Sequence, residues 1–287
     1  MNEYVIFTDS SSDLPVELSN EIGVKTIQLD VRIDDGPSYP NNQIDIKDFY
    51  AQLRDGKMAQ TSAVSIESFK LSFTEVLEKG IDILYLGFSS GLSSTYNWAK
   101  VAAEELSEEY PNQKILTVDT LAASLGQGML VWLAAKKKEE GASIDELAAY
   151  VEETKLNLCH WFTVDDLFFL KRGGRVSATT AVVGTMLSIK PVLHVDDEGK
   201  LINVAKARGR KGSIAALAAK MKETAINPSE QTVFISHGDC IEDVETLKEI
   251  IKKEMNVTNF IVSPVGPVIG SHSGPGTLAL FFIGTKR

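Results

Sequence analysis

One imidazole in this chain is set among residues that bend or stiffen the backbone. His272 lies inside Gly266-Pro267-Val268-Ile269-Gly270-Ser271-His272-Ser273-Gly274-Pro275-Gly276. Glycine reaches positive φ and lets a ligand approach the main chain, while proline fixes φ and removes a donor, so such a run can hold a titratable ring in a set geometry. Read by itself the segment allows two accounts: a binding or reaction site, or a Gly/Pro loop between two strands whose imidazole caps a carbonyl. Three hydroxyl clusters could complete a site: Thr8-Asp9-Ser10-Ser11-Ser12, Thr61-Ser62 and Ser89-Ser90-Gly91-Leu92-Ser93-Ser94-Thr95. Hydroxyls beside the free N–H groups of a helix start favour an anion such as a carboxylate or phosphate. N-capping explains any one of these serines alone, and explains Ser10, Ser11, Ser12 and Ser65 better than Ser93. Two basic groups follow, Lys171-Arg172-Gly173-Gly174-Arg175 and Lys206, Arg208, Arg210 and Lys211. Arginine beside glycine grips oxyanions with backbone and guanidinium together, which favours ligand contact for Arg172 or Arg175 and partner docking for Arg208 and Arg210 over a merely solvated loop and strand edge.

A second chemistry competes. Gly87-Phe88-Ser89-Ser90-Gly91 matches the GxSxG nucleophile elbow and falls between a predicted strand and a predicted helix. Downstream acids with His237 or His272 could complete a Ser, acid, His order, yet no HGGG-like oxyanion loop precedes it and few strands come first, so a serine esterase acting through Ser89 stands as the alternative. His160 and His194 sit in strand-like apolar surroundings and read as satisfied core or surface residues; His237 ends a strand and could be either. No HExxH, Walker A or GxGxxG occurs, so neither a metal nor a cofactor is expected.

The elements that must position these residues follow from periodicity. Short β-branched or aromatic runs alternate with helix-period stretches: 4–8 then 15–22, 81–88 then 93–109, 114–118 then 122–140. This βαβ rhythm predicts a parallel sheet flanked by helices, with Pro15 early in one helix, Gly23 ending it and Ser93 as an N-cap. A helix over 144–156 precedes a change of pattern, which predicts a boundary near residue 158 and two domains, 1–158 and 159–287. The second begins with a strand at 162–164, a turn over 165–170 and the Gly173-Gly174 break. It continues with a helix over 178–188, a hairpin over 191–207 turned at Asp197-Glu198-Gly199, a helix over 213–225, strands at 231–236, 260–263 and 277–283, and a helix over 242–254.

Composition bounds the rest. The 287 residues, 44% hydrophobic and 24% charged, can bury a sizeable core without staples. Residues 1–158 hold 26 acidic against 13 basic side chains and residues 159–287 hold 13 against 16, within an overall net charge of −10. Two units with different surfaces and no nucleic-acid partner are therefore expected. Cys159 and Cys240 lack metal or redox spacing, and no segment reaches the roughly 20 apolar residues of a membrane span, which fits a reducing, cytoplasmic setting.

Taken in order, Thr8-Asp9-Ser10-Ser11, Thr61-Ser62, Ser89-Ser90-Gly91-Leu92-Ser93, Val118-Asp119, Leu170-Lys171-Arg172-Gly173-Gly174-Arg175, Ile189-Lys190-Pro191 and the Gly266 to Gly276 run resemble the DegV family over essentially the whole chain. The resemblance implies a non-enzymatic carrier that binds a long-chain fatty acid between two α/β domains. It would present the carboxylate to a separate ATP-dependent fatty acid kinase, giving an acyl phosphate for phospholipid synthesis, with at most transient membrane contact. It also implies that Thr61, with Ser62 beside it, and Ser93 hold the carboxylate, that His272 supports that network and that Arg172 helps neutralise the head group. Arg175 and Arg208, with Arg210 near them, would face the kinase or its phosphate. The chain departs from the family in having Ser94 and Asn97 where Gly and Gln are common. A small-molecule sensor using the same cleft is the third possibility.

Overall fold

The apolar run Tyr-Val-Ile-Phe-Thr-Asp forms β1 (Tyr4–Asp9), which pairs in parallel with β2 (Lys25–Ile27) and with β6 (Asp82–Gly87), and β6 pairs in parallel with β7 (Ile115–Asp119). This is the parallel sheet anticipated from the βαβ rhythm, in the order β2-β1-β6-β7. The protein is seen here as a computed structural model that describes residues 3–177 and 189–287; the helix expected over 178–188 lies outside the described residues. From Leu158 the chain builds a second sheet from β8 (Leu158–Thr163), β9 (Ile189–Val195), β10 (Leu201–Arg208), β11 (Thr232–His237), β12 (Asn259–Pro264) and β13 (Leu278–Ile283). Its order is β10-β9-β8-β13-β11-β12, antiparallel except for β11 with β12.

Side-chain alternation on the strands sorts the core into three apolar layers. One face of the parallel sheet, with Phe7, Ile83 and Tyr85, meets α2 (Ile46–Arg54), α3 (Ile66–Leu77) and α4 (Thr95–Glu109). Phe7, Phe69, Phe73 and Tyr85 pack there ring to ring, with centroids 5.2 Å apart for Phe7–Phe73 and for Phe69–Tyr85. The opposite face, with Ile6, Leu84 and Leu86, meets α5 (Leu125–Glu139) and α6 (Ile144–Thr154), and the far side of α5 meets Phe162, Phe234 and Phe281 of the second sheet. That shared layer draws side chains from both sides of residue 158. The outer face of the second sheet, with Trp161, Ile235 and Leu280, is covered by α8 (Gly209–Thr224) and α9 (Ile241–Met255).

Three local expectations change, and one small sheet is added. The Gly266 to Gly276 run is not an open loop: it holds the short helix α10 (Pro267–Ser273), with Pro267 in the first turn, where its missing N–H costs nothing, and Gly274 at φ 77° ending it. The expected turn over 165–170 is mostly helix α7 (Leu167–Arg172), because the Asp166 carboxylate accepts from Phe168 N at 2.8 Å and caps it. Helix α4 is entered at Ser94 rather than Ser93, and Ser93 Oγ accepts from Thr95 N at 3.2 Å. A small antiparallel sheet of β3 (Asp30–Ile33), β4 (Ser38–Pro40) and β5 (Ala59–Ser62), in the order β4-β3-β5, was not legible: its strands are three or four residues long, too short for alternation to register.

Candidate functional site

Strand β5 carries Thr61 on one face and exposes Ser62 on the other, so period-2 alternation alone separates the two adjacent hydroxyls. Thr61 and Ala63 line a cavity of about 480 Å³ together with Ser93 and Ser94 before α4, Arg175 after α7, and His272 on α10. Thus Thr61, Ser93, Arg175 and His272, distant in sequence, share one wall. Thr61 Oγ1 lies 2.8 Å from His272 Nε2. Behind the ring is Gly173, where a Cβ would fall 2.2 Å from His272 Nδ1, so only glycine lets α7 end against the imidazole. Burial, reinforced by the nearby Arg175 cation, holds His272 down to a pKa of about 4, leaving the ring neutral near pH 7. The Arg175 side chain is half-buried; its Nε donates to Leu92 O at 3.2 Å and Nη1 donates to Gly173 O. No described carboxylate pairs with it, so its charge is available to an anion in the cavity.

The other basic candidates lie elsewhere. Arg172 is exposed, its guanidinium 4.5 Å from the Phe169 ring centroid, and does not line the cavity. Arg208 is exposed at the end of β10, while Arg210 bonds the Asp243 carboxylate at 2.8 Å and lies 3.7 Å from Asp165. Apolar side chains, among them Leu29, Phe88, Phe162, Leu170, Val268 and Ile269, line the same cavity beside further polar ones. The polar wall can therefore bind an anion while the apolar side chains bury hydrocarbon.

Ser89 is occupied otherwise. It is fully buried, and its Oγ donates to Gly199 O at 2.8 Å and accepts from Gly91 N at 3.2 Å. The β9–β10 turn presses onto it: Gly199 has φ 72°, and a Cβ there would lie 2.1 Å from Ser89 Oγ. A nucleophile must give its proton to a base, and this proton is committed to a carbonyl. A serine-directed phosphonate is accordingly expected to leave Ser89 unlabelled after prolonged incubation, read by intact-mass spectrometry; stoichiometric labelling would restore the esterase alternative.

Several lining residues escaped the sequence. Ser124 and Ser236 line the cavity, with their Oγ atoms 2.9 Å apart, and Ser124 Oγ donates to the buried Asp13 carboxylate, which also accepts from Gly266 N at 3.0 Å. Ser236 is near the end of β11 and Ser124 stands just ahead of α5, so the strand-end and helix-start logic that selected the other hydroxyls could have found both. His160, expected to be a satisfied core or surface residue, also lines the cavity, and its Nδ1 has no hydrogen-bond partner among the described residues. The Thr8 to Ser12 cluster lies outside the cavity wall: Asp9 accepts from Tyr85 Oη at 2.7 Å, Phe88 N at 3.0 Å and Ser11 N at 3.0 Å, and Ser10 Oγ accepts from Leu29 N at 2.9 Å.

The chain is similar to known proteins along its whole length. A DegV domain-containing protein of Clostridium perfringens is 49% identical, covering 100% of this chain and 99% of its own. Among solved structures, a DegV lipid-binding protein of Thermotoga maritima superposes with a TM-score of 0.87 at 32% identity, with 99% of each chain covered. A DegV-family protein of Thermus thermophilus, described for its fatty acid binding, gives 0.86 at 32% identity over 98% of this chain and 99% of its own. The family model described as "Uncharacterised protein, DegV family" matches residues 3–285, from the first strand past the last, and the chain belongs to the DegV family.

Proposed function

We propose that this protein binds a long-chain fatty acid in the cavity and presents its carboxylate to a separate ATP-dependent kinase, in the cytoplasm, for conversion to an acyl phosphate. One observation carries the binding step: a single cavity is lined both by Thr61, Ser93, Arg175 and His272 and by apolar side chains such as Leu29, Phe88, Phe162 and Ile269. Relatives at 32% identity that are described as binding lipid or fatty acid support it. With the neutral imidazole protonated on Nε2, His272 donates to Thr61 Oγ1 and the threonine hydroxyl is free to donate to the carboxylate. Hydrogen bonds and the Arg175 charge favour the ionised form, which is the nucleophile that a phosphoryl transfer needs. Each buried CH₂ adds about 0.8 kcal/mol, so the hydrocarbon supplies most of the affinity and the polar wall fixes orientation.

The carrier role assigns chemistry to the partner, which would bring the γ-phosphoryl group in line with the carboxylate oxygen. The exposed Arg172 and Arg208 are available for such docking, whereas Arg210 is already paired within the chain. The first test is denaturing extraction of freshly purified protein followed by mass spectrometry. Near-stoichiometric fatty acid is expected. Its absence, together with failure of added oleate or palmitate to bind, overturns the proposal. The kinase step is tested by comparing loaded protein with free fatty acid as substrate for a bacterial fatty acid kinase, with faster acyl phosphate formation expected from the loaded protein.

A further inference from the structure

The floor of the cavity is not uniformly apolar. Strand register sets Ser236, Ala279 and Phe162 side by side across β11, β13 and β8, and all three line the cavity. Two residues along, on the same face, the next row is Phe234, Phe281 and His160, of which His160 reaches the cavity. A hydrocarbon chain lying on this floor therefore passes two polar groups at diagonal corners.

Each has unspent hydrogen-bonding capacity. Ser236 is fully buried, and among the described residues the one hydrogen bond of its hydroxyl is the 2.9 Å contact with Ser124. When Ser124 gives its proton to Asp13, Ser236 must donate to Ser124, which leaves both lone pairs of Ser236 Oγ unused; if Asp13 holds a proton the chain reverses and the Ser236 proton is free. His160 is 4% exposed and its ring packs 4.6 Å from Phe281, with Nδ1 unpartnered among the described residues. Burial holds this ring neutral, so it carries one donor and one acceptor. Methylene groups can satisfy none of these atoms, and a buried polar atom left without a partner carries its full desolvation cost.

We propose that the acyl chain this cavity prefers bears a hydroxyl group part-way along its length, received by Ser236 or His160. This rests on the fatty acid reading above and narrows its substrate class from simple to hydroxylated long-chain acids. A hydroxyl is both donor and acceptor, so it matches Ser236 in either direction of the Asp13–Ser124–Ser236 chain and matches His160 in either tautomer.

The test compares stearate with a series of hydroxystearates whose hydroxyl is moved along the chain, by calorimetry on delipidated protein. At least one isomer is expected to bind the wild type about tenfold tighter than stearate, as one satisfied buried hydrogen bond would give. The ratio of that isomer's affinity to stearate's should collapse toward one in Ser236→Ala or in His160→Phe, which also shows which corner receives the hydroxyl. Stearate binding with no isomer tighter, or a preference that survives in both variants, overturns the inference and leaves the fatty acid reading standing. Failure of stearate and of every isomer to bind overturns both. If either variant does not fold, the wild-type comparison alone decides.

Discussion

Arg175→Met is expected to lower fatty acid affinity by about 30- to 100-fold, whereas Arg172→Met should change it by less than about twofold, a contrast set by the worth of a charge-assisted hydrogen bond in a part-buried site. Arg175 lines the cavity, is anchored by bonds to Leu92 O and Gly173 O, and meets no described carboxylate. Methionine keeps most of the aliphatic stem and removes only the charge and its donors, so the loss reports on the anion rather than on packing. Arg172 spreads its guanidinium over Phe169 at the surface, where solvent screens it from a carboxylate in the cavity. Titration of a fluorescent fatty acid into delipidated protein reads both variants. A larger loss in Arg172→Met than in Arg175→Met would place head-group neutralisation at the exposed edge and contradict the geometry.

The two arginines also show where sequence stops being informative. Spacing and the neighbouring glycines mark Arg172 and Arg175 as anion-binding candidates, but which one turns inward depends on where α7 ends, and that end is set by Asp166 at its start and by His272 packed against Gly173. The same holds for Ser62: adjacency to Thr61 made it a candidate, and alternation on a four-residue strand exposes it. The parallel sheet, most helices and the hairpin were legible because they are long enough for periodicity and carry their own punctuation. The three-stranded sheet and α10 were not, since short strands and a Gly/Pro-rich helix carry no periodic signal and owe their form to tertiary contacts such as Tyr50 Oη donating to Val265 O at 2.9 Å. His272 lines the cavity from a helix and not from the loop its glycines and prolines suggested.

Asp13→Asn is expected to stabilise the delipidated protein increasingly as pH rises, by about 4 kcal/mol relative to wild type above pH 7 and by almost nothing below pH 4. Burial pushes the Asp13 carboxyl up to about 7 from an ordinary 3.8, with the negative Asp9 adding to the rise, while the Ser124 hydroxyl and Gly266 N–H oppose it. Between those two pH values the folded protein keeps a proton that the unfolded chain releases, so the stability Asp13 contributes is full below pH 4 and is lost as pH rises through 7. Asparagine stays neutral throughout. Its carbonyl can still accept from Gly266 N, and its amide can donate to Ser124 Oγ once that hydroxyl turns toward Ser236. The histidines give the opposite slope, since burial lowers His160, His194, His237 and His272 and their stability is gained as pH rises toward 6.5, but they are present in both proteins and cancel in the difference. Urea unfolding at pH 4.5, 6 and 8 is the measurement, with midpoints separating by on the order of 1 M at pH 8. A difference that stays constant with pH, or one in which asparagine is the less stable at pH 8, would mean that Asp13 is ionised throughout and that the tie between the first β-strand's turn, the start of α5 and the start of α10 is a charged one. The reversible Asp13–Ser124–Ser236 proton chain would then run in one direction only, with Ser236 always an acceptor toward the cavity.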